Sequence, residues 1–258
     1  MSPDRNFYFF IDYKMQRKEK IGIIGAGIQG VCTALFLQKK GFDVTLFDRD
    51  EPGNAASYGN AGHFSPYASL QLNRTDILSD VPSMLLSSRG PLALKWNYIP
   101  KMLPWFARFI FNCSKKKMMH TAKYMHQILD LSLDAYDELF QEIDLDGLVV
   151  SNGIIYVWEN KGLKSRELEI NIRNELGIDQ QILKPKEIHD LEPNIKPFYH
   201  GGVFYKTAKH AKNPKKILIK LFDIFLQKGG KFLKLNIKDL NFDEKKPVLR
   251  SESQRFIF

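Results

Sequence analysis

Cysteine pairs and long apolar runs are scarce in this sequence. The 258 residues include two cysteines, Cys32 and Cys113, which excludes the disulfide framework of a small secreted domain. No uninterrupted run of about 18 apolar residues occurs, so no membrane-spanning segment is predicted. Apolar residues make up 44% and charged residues 26% of the chain, as in globular proteins with a sizeable core. Its length predicts one large domain or two modest ones.

Acidic residues are outnumbered by basic ones. The chain has 38 lysines and arginines against 29 aspartates and glutamates, a formal net charge of +9. Such an excess can attract nucleic acid, anionic lipid or acidic ligands. The lysines are scattered over predicted helix faces and interleaved with acids, and the chain has no nucleic-acid-binding motif. We interpret the excess as a solvated lysine-rich surface and predict no nucleic-acid partner.

The sequence also lacks the motifs of metal-dependent and nucleophilic catalysis. None of the six histidines pairs with a cysteine or an acid at a metal-ligand spacing, and no G-x-S-x-G motif occurs. Cys32 falls on the packing face of the first predicted helix, as a small buried residue would. We predict no metal site and assign no catalytic residue.

A glycine-rich turn between a predicted strand and a predicted helix is the strongest pattern in the chain. The apolar run at 21–24 predicts a buried parallel strand. The G-x-G-x-x-G sequence of residues 25–30 follows, and a helix then extends to a glycine cap at Gly41. A second predicted strand, 42–47, ends in Asp48. Together these elements predict a dinucleotide-binding βαβ unit.

Each residue type in this motif has a physical role. Gly25 permits the tight turn, Gly27 lets a pyrophosphate approach the backbone, and Gly30 lets the helix pack closely. The helix N-terminus offers N–H groups and a positive dipole end to phosphates. Asp48 lies about 20 residues further on, where a carboxylate accepts hydrogen bonds from ribose hydroxyls. An acid there argues against a 2′-phosphate, although Arg49 is adjacent.

The motif alone does not separate NAD from FAD. The segment that follows, SYGNAGHFSP at 57–66, is rich in small residues, so its backbone could run close to an elongated cofactor. A plain surface loop is the alternative interpretation.

The sequence IGIIGAGIQGVCTALFLQKKGFDVTLFDRD, followed by SYGNAGHFSP, resembles the amino end of FAD-dependent D-amino-acid dehydrogenases of the small-subunit type. These belong to the wider group of D-amino-acid, glycine and sarcosine oxidases. The likeness continues through 91–96, 201–205 and 230–232 and covers roughly residues 20–240. It implies an α/β fold (α+β overall) with a Rossmann-like FAD-binding domain and an antiparallel-sheet substrate domain.

The resemblance implies non-covalent FAD and the residues that would hold it. These are Ile24, Gly25, Ala26, Gly27, Ile28, Gln29, Gly30, Asp48, Arg49, Ser57, Asn60, Ala61, Gly62 and Ile237. The glycines would line the pyrophosphate and Asp48 would hold the adenosine ribose. The loop residues Ser57, Asn60, Ala61 and Gly62 would run beside the pyrophosphate and flavin, and Ile237 would lie near the adenine. His63 receives no catalytic role.

The implied reaction oxidises a small-molecule amino acid, in this family a D-amino acid, to the imino acid and then the 2-oxo acid by hydride transfer to the flavin. A respiratory electron acceptor is one implied partner. Relatives are longer, so we interpret the chain as truncated at its C-terminus, without the arginine and tyrosine that hold the substrate carboxylate. An inactive fragment that at most binds nucleotide is the alternative, and an NAD-dependent dehydrogenase is a weaker third hypothesis.

Domain boundaries follow from the same resemblance. Residues 20–82 and 208–250 would form the FAD-binding domain and 83–207 the substrate domain. Residues 1–19 would be an extension outside the fold, and 251–258 a truncated tail. Within that tail, Phe256 and Phe258 have no predicted packing site. A strand is predicted at 235–240, with an interruption at 245–247.

Two segments in the middle of the chain carry further predictions. Residues 94–113 combine aromatic and basic side chains. We favour a helix packed on its own domain, and the alternative is a helix lying on an anionic membrane surface, since bacterial relatives pass electrons to the respiratory chain. We therefore predict a cytoplasmic location, with peripheral contact at the inner face of the membrane as the alternative.

A hairpin is predicted between strands 149–150 and 154–158.

Overall fold

A computed structural model describes residues 19–71, 81, 95–159, 166–243 and 246–258. Its strands are β1 Lys20–Ile24, β2 Asp43–Asp48, β3 His63–Phe64, β4 Val149–Val150, β5 Ile154–Trp158, β6 Gln181–Leu183, β7 Gly201–Tyr205, β8 Lys209–Ala211, β9 Lys231–Lys234, β10 Asp239–Asp243, β11 Lys246–Arg250 and β12 Arg255–Ile257. Its helices are α1 Ile28–Lys39, α2 Ile99–Phe111, α3 Lys115–Asp130, α4 Ser132–Phe140, α5 Glu167–Glu175, α6 Pro185–Leu191 and α7 Pro214–Gln227. A 3-10 helix, Trp96–Tyr98, precedes α2.

The chain divides into two compact units. The first contains the described residues up to Asn60, the short segment Gln141–Asp144 and the described residues from Asn213 onward. The second contains the described residues of Ala61–Phe140 and Leu145–Lys212.

The first unit has a parallel sheet with the strand order β1-β2-β9. Strand β2 buries Val44, Leu46 and Phe47, whereas the central residues of β1 and β9 are partly buried. Helix α1 buries Val31, Ala34 and Leu35 and packs beside α7. Helix α7 begins at its N-cap Asn213, whose side chain accepts a hydrogen bond from the Lys216 N–H, and has a proline in its first turn. The predicted Rossmann-like βαβ arrangement is confirmed.

A second sheet of the first unit, β10-β11-β12, is antiparallel. The predicted strand at 235–240 is wrong, because the chain pairs instead at β9 and from Asp239 onward. Pro247 lies inside β11 and does not interrupt it. Proline lacks the backbone N–H donor but keeps its carbonyl acceptor, so it can still take part in strand pairing on one side. Its carbonyl accepts a hydrogen bond from the Phe258 N–H at 3.1 Å.

The two phenylalanines at the C-terminus have a packing site, so the expectation that they lack one is wrong. The rings of Phe256 and Phe258 contact the buried Phe47 of β2 edge-on, at centroid distances of 4.9 and 6.0 Å. The β11–β12 pairing, with Leu249 opposite Phe256, turns the chain back and makes these contacts. No local sequence pattern could reveal this long-range pairing.

The second unit is built on antiparallel sheets. In the sheet β5-β7-β6, alternate side chains pack into two clusters, as the period of a strand requires. One cluster contains Tyr67, Trp158, Val203 and Tyr205. The other contains Leu183, Ile188 and Tyr199, with Ile188 supplied by α6. The predicted combination of a Rossmann-like unit with an antiparallel-sheet unit is confirmed.

The predicted hairpin between β4 and β5 is wrong. Strand β4 pairs with β8, whereas β5 pairs with β7. Gly153 lies between them with φ of +74° and donates its N–H to the Ala208 carbonyl at 3.2 Å. The chain turns at this glycine, so the two strands join different sheets.

Helix α2, in the second unit, has an exposed apolar side. None of its residues is buried, although Met102, Phe106 and Phe109 are partly covered. Leu103, Trp105 and Ile110 are 57%, 53% and 56% exposed. Among the described residues, no helix has the length and apolarity needed to span a bilayer.

Candidate cofactor-binding site

The turn between β1 and α1 depends on two of its glycines. Gly25 has φ of +112°, a conformation that side chains other than glycine rarely adopt. The Gly25 N–H donates to the Phe47 carbonyl at 2.6 Å, and no atom of the described residues lies within 4 Å of the position of a Cβ on Gly25. A Cβ on Gly30 would overlap the Gly25 carbonyl oxygen. Gly30 therefore permits the helix to approach the turn, while the space beside Gly25 stays open.

The N-terminus of α1 presents backbone donors. Its first helical hydrogen bond joins the Val31 N–H to the Gly27 carbonyl at 3.0 Å, so the N–H groups of Gln29 and Gly30 precede the helical ladder. Gly27 supplies no side-chain cap. The Ile28 N–H instead donates to Oγ of Ser57 at 3.0 Å, from a loop 29 residues away. The helix end thus offers partial positive charge to an anion.

Gly27 itself lies where a backbone can be approached closely. Among the described residues, the heavy atom near the position of a Cβ on Gly27 is Oγ of Ser57, at 3.2 Å. Ser57 is 8% exposed. An alanine at Gly27 would therefore require the Ser57 hydroxyl to shift by a few tenths of an ångström, and its methyl group would project beside the N–H groups at the start of α1.

Asp48 ends β2 beside the glycine-rich turn. Its Oδ2 accepts a hydrogen bond from the buried Ala26 N–H at 2.7 Å, and its Oδ1 accepts one from the Asp50 N–H at 3.1 Å. A carboxylate has about four lone-pair sites, so ribose hydroxyls can still donate to it. Arg49 is exposed and pairs with Asp50 at 3.4 Å.

The loop between Asp48 and Asn60 folds back onto the turn. The Gly53 N–H donates to the Ala26 carbonyl at 3.1 Å. Lys215, in the first turn of α7, donates to Oδ1 of Asn54 at 2.7 Å and lies 4.8 Å from the centre of the Tyr58 ring. Sequence reasoning missed Lys215, because it lies 161 residues from Asn54 and in a helix whose lysines have no distinguishing pattern.

The predicted residues are divided between the two units. The turn residues, Asp48, Ser57 and Asn60 lie in the first unit, whereas Ala61 and Gly62 belong to the second. Gly62 has φ of +68°, and its carbonyl accepts the Ala211 N–H at 2.7 Å. Ile237 is half-buried in the segment between β9 and β10. The cofactor-binding roles of these residues, like those of the turn residues, Asp48 and Ser57, stay predictions.

The residues of the first unit fit a dinucleotide cofactor. The open space at Gly25, the N–H groups at the start of α1 and the carboxylate at the end of β2 occupy one edge of the parallel sheet, outside the carboxyl ends of its strands. Ligands bind at this edge in open α/β sheets.

Comparisons with known proteins identify the family. The model of the DAO family, described as FAD dependent oxidoreductase, matches residues 20–255. A D-amino-acid oxidase of Bradyrhizobium diazoefficiens is 30% identical over 237 residues, which cover 91% of this chain and 56% of that protein. D-amino acid dehydrogenase 2 of Ralstonia nicotianae is 31% identical over 184 residues, 68% of this chain and 42% of that protein.

A solved structure shows the same fold. The glycine oxidase of Geobacillus kaustophilus superposes with a TM-score of 0.59 at 16% sequence identity, covering 93% of this chain and 53% of that one. The chain spans about half the length of the curated relatives it matches. On the strength of the match across residues 20–255, the chain belongs to the DAO family of FAD-dependent oxidoreductases.

Proposed function

We propose that this protein is a small-subunit-type D-amino-acid dehydrogenase that oxidises a D-amino acid to its imino acid, which water converts to the 2-oxo acid and ammonia. FAD, when bound, supplies the two-electron oxidant that takes a hydride equivalent from the α-carbon. The observation that carries the proposal is the glycine-rich turn 25–30, which presents the N–H groups of Gln29 and Gly30 at the start of α1. Asp48 is hydrogen-bonded beside this turn. The names of the relatives, a D-amino-acid oxidase and a D-amino acid dehydrogenase, support the substrate class.

The chain's own residues would bind and orient the cofactor. The N–H groups of Gln29 and Gly30 would donate to pyrophosphate oxygens, and the bare backbone at Gly27 would let them approach. Asp48 would accept hydrogen bonds from the adenosine ribose while keeping its bond to Ala26. Ser57 would hold the helix end in place through the Ile28 N–H.

A variant at Gly27 tests cofactor binding separately from folding. The purified full chain is expected to show the visible absorption bands of flavin, released on denaturation. Gly27→Ala should lose that flavin and lower the unfolding midpoint no more than Ser57→Ala does, because the added methyl group meets Oγ of Ser57 at 3.2 Å. Gly59→Ala is the control, since among the described residues no atom lies within 4 Å of its added carbon. A colourless wild-type protein, or a Gly27→Ala variant with full flavin content, would contradict the proposed site.

The substrate class needs its own assay. The flavin-loaded protein is mixed with D-alanine, L-alanine or glycine and a dye acceptor, and dye reduction and ammonia release are followed. Faster reduction with D-alanine supports the proposal, whereas a preference for L-alanine or glycine would assign a different amino-acid substrate. Bound flavin without turnover of any of these amino acids would favour the alternative hypothesis of an inactive fragment that at most binds nucleotide.

We also propose that α2 rests on an anionic membrane surface, which would place the protein at the inner face of the membrane near a respiratory electron acceptor. The observation that favours this is the exposure of Leu103, Trp105 and Ile110. Basic side chains accompany them at Lys101, Arg108 and 115–117, and residues 95–117 contain no acid. Aromatic, apolar and basic side chains on one exposed helix are typical of interfacial helices.

Vesicle flotation tests the membrane proposal. The wild-type protein should float with vesicles containing phosphatidylglycerol more than with phosphatidylcholine vesicles, and added salt should weaken the binding. Leu103→Ser with Ile110→Ser should reduce flotation. Ile128→Ser is the control, because Ile128 is 68% exposed on α3. Equal flotation of the double variant and the wild type would contradict the proposal.

A further inference from the structure

A cavity in the second unit has none of the residues predicted to hold FAD in its lining. Its volume is about 230 Å³, smaller than the pockets of about 300 Å³ or more that hold drug-sized ligands. Strands β5 and β7, helix α5 and residues 67–70 supply its walls. Its aromatic and basic lining consists of Tyr67, Tyr156, Trp158, Arg166, Arg173 and Tyr205.

Two arginines and one glutamate line this cavity. Nη1 of Arg173 donates to Oε2 of Glu169 at 3.2 Å, and Nη1 of Arg166 donates to Oε1 of the same carboxylate at 3.0 Å. The side chains of Arg173 and Glu169 are each 13% exposed. Two cations share one anion, so one positive charge in this triad is unbalanced. Burial lowers the pKa of Arg173, yet a guanidinium remains charged at neutral pH.

One edge of the Arg173 guanidinium has no acceptor. Within the described residues, its hydrogen bonds involve Nη1 alone, and Nε is buried without a partner. The Nε–H and Nη2–H groups point the same way along this edge and match the two oxygens of a carboxylate. A buried cation with an empty bidentate edge is costly unless an acceptor occupies it.

Two further residues in the cavity walls also have a buried donor without an acceptor. The Tyr205 hydroxyl and the Trp158 indole nitrogen are buried, and neither has a hydrogen-bond partner in the part of the chain that the structure describes. Tyr205 is 1% exposed and Trp158 is 7% exposed. Three buried donors without partners thus belong to residues that line one cavity, and a ligand that reached them would have to supply acceptor oxygens.

The aromatic part of the wall is held in position by its own contacts. The rings of Tyr67 and Tyr205 stack at a centroid distance of 3.9 Å and an angle of 6°. The Tyr67 and Tyr156 hydroxyls lie 3.2 Å apart, within hydrogen-bond distance. The Arg173 guanidinium carbon lies 5.6 Å from the centre of the Tyr205 ring. These contacts fix a flat apolar surface beside the charged edge.

We propose that this cavity binds a small carboxylate whose apolar part packs against the tyrosine rings. The planar oxygen pair would accept from the Nε–H and Nη2–H groups of Arg173, with the Tyr205 hydroxyl as a further donor after a small side-chain adjustment. The cavity volume limits the ligand to a small metabolite and excludes a dinucleotide. Inorganic phosphate has the charge but lacks the apolar part.

Trp158 provides a direct readout of binding. The chain has three tryptophans, so Trp96→Phe with Trp105→Phe leaves Trp158 as its one indole. Phenylacetate is added to this full-length variant, and the uncharged phenylacetamide and inorganic phosphate are added in parallel. Phenylacetate should change the emission saturably, and phenylacetamide should bind about tenfold or more weakly, because it lacks the charge-assisted hydrogen bonds. The flavin content of the sample should not change during the titration.

Variants in the same background assign the effect to the cavity. Arg173→Met should abolish the response, and Arg250→Met, at an exposed arginine of β11, should leave it unchanged. Tyr205→Phe keeps the stacked ring and should weaken binding several-fold; it replaces Arg173→Met as the test if that variant does not fold. Equal binding of phenylacetate and phenylacetamide, phosphate binding as tight as that of phenylacetate, or full binding by a folded Arg173→Met variant would overturn the proposal.

Discussion

Oδ2 of Asp48 accepts a hydrogen bond from the backbone N–H of Ala26 at 2.7 Å. Ala26 is fully buried, so this donor would be unsatisfied without the carboxylate. The acid predicted to hold a ribose therefore also fixes the glycine-rich turn. The predicted role of Asp48 in cofactor binding would therefore be coupled to local stability.

Asp48→Ala should lower the free energy of unfolding by about 1–3 kcal/mol, because it leaves a buried N–H without an acceptor. Urea denaturation of the flavin-free protein measures this. Asp48→Asn retains an acceptor oxygen and should cost less. Arg49→Ala, at an exposed neighbour, should change stability by less than about 0.5 kcal/mol. Equal losses for Asp48→Ala and Arg49→Ala would contradict the prediction.

Ser57→Ala should destabilise the protein by about 1 kcal/mol, the usual cost of removing a side-chain cap from a helix N-terminus. Its hydroxyl is the acceptor for the Ile28 N–H although it lies far from α1 in sequence. Thermal unfolding of the flavin-free protein is the measurement. The control is Asn54→Ala, in the same loop but exposed. Unchanged stability of Ser57→Ala would mean that water caps the helix equally well.

Glu142 links the C-terminal end of α1 to the residue that follows α7. Its carboxylate pairs with Lys39 at 2.7 Å and Lys228 at 2.5 Å, and hydrogen bonds from these two lysines lower its pKa. A carboxyl group with a lowered pKa in the folded state stabilises the protein above its unfolded pKa of about 4.3. That contribution is lost as the pH falls through the folded pKa.

Glu142→Gln should therefore reduce stability by about 0.5–1 kcal/mol at pH 7, and the difference should vanish at low pH. Urea unfolding at a series of pH values from neutral to acidic gives the profile. Glu51→Gln, at an exposed pair with Lys234, serves as the comparison and should barely alter the curve. A Glu142→Gln curve parallel to the wild-type curve would show that the two ion pairs do not contribute.

Phe256→Ala should cost about 2 kcal/mol, since it removes a half-buried ring and its edge contact with Phe47. Ile257→Ala is a suitable control, because Ile257 lies on the same strand and is 51% exposed. Chemical denaturation compares the two. If both substitutions have the same small effect, the β12 contacts do not stabilise the first unit.

The βαβ start of the chain could be predicted because its information is local. A β-branched run, glycines at fixed spacing and an acid at the end of the next strand all fall within residues 20–48. The hairpin at 149–158 and the strand at 235–240 could not, because pairing partners such as β7 and β8 lie far along the chain. The cavity around Arg173 escaped prediction for the same reason, since Tyr67, Tyr156 and Tyr205 meet only after folding.

The sheet order β1-β2-β9 affects the order in which the two units fold during synthesis on the ribosome. Lys231 and Asp43, on neighbouring strands, are 188 residues apart in the chain. Pairing between such distant segments is slow, because a long loop must close before any contact forms. The second unit is almost continuous in sequence and leaves the ribosome before β9 does. We therefore expect nascent chains to resist protease first in the second unit, and the parallel sheet to form only after β9 has emerged.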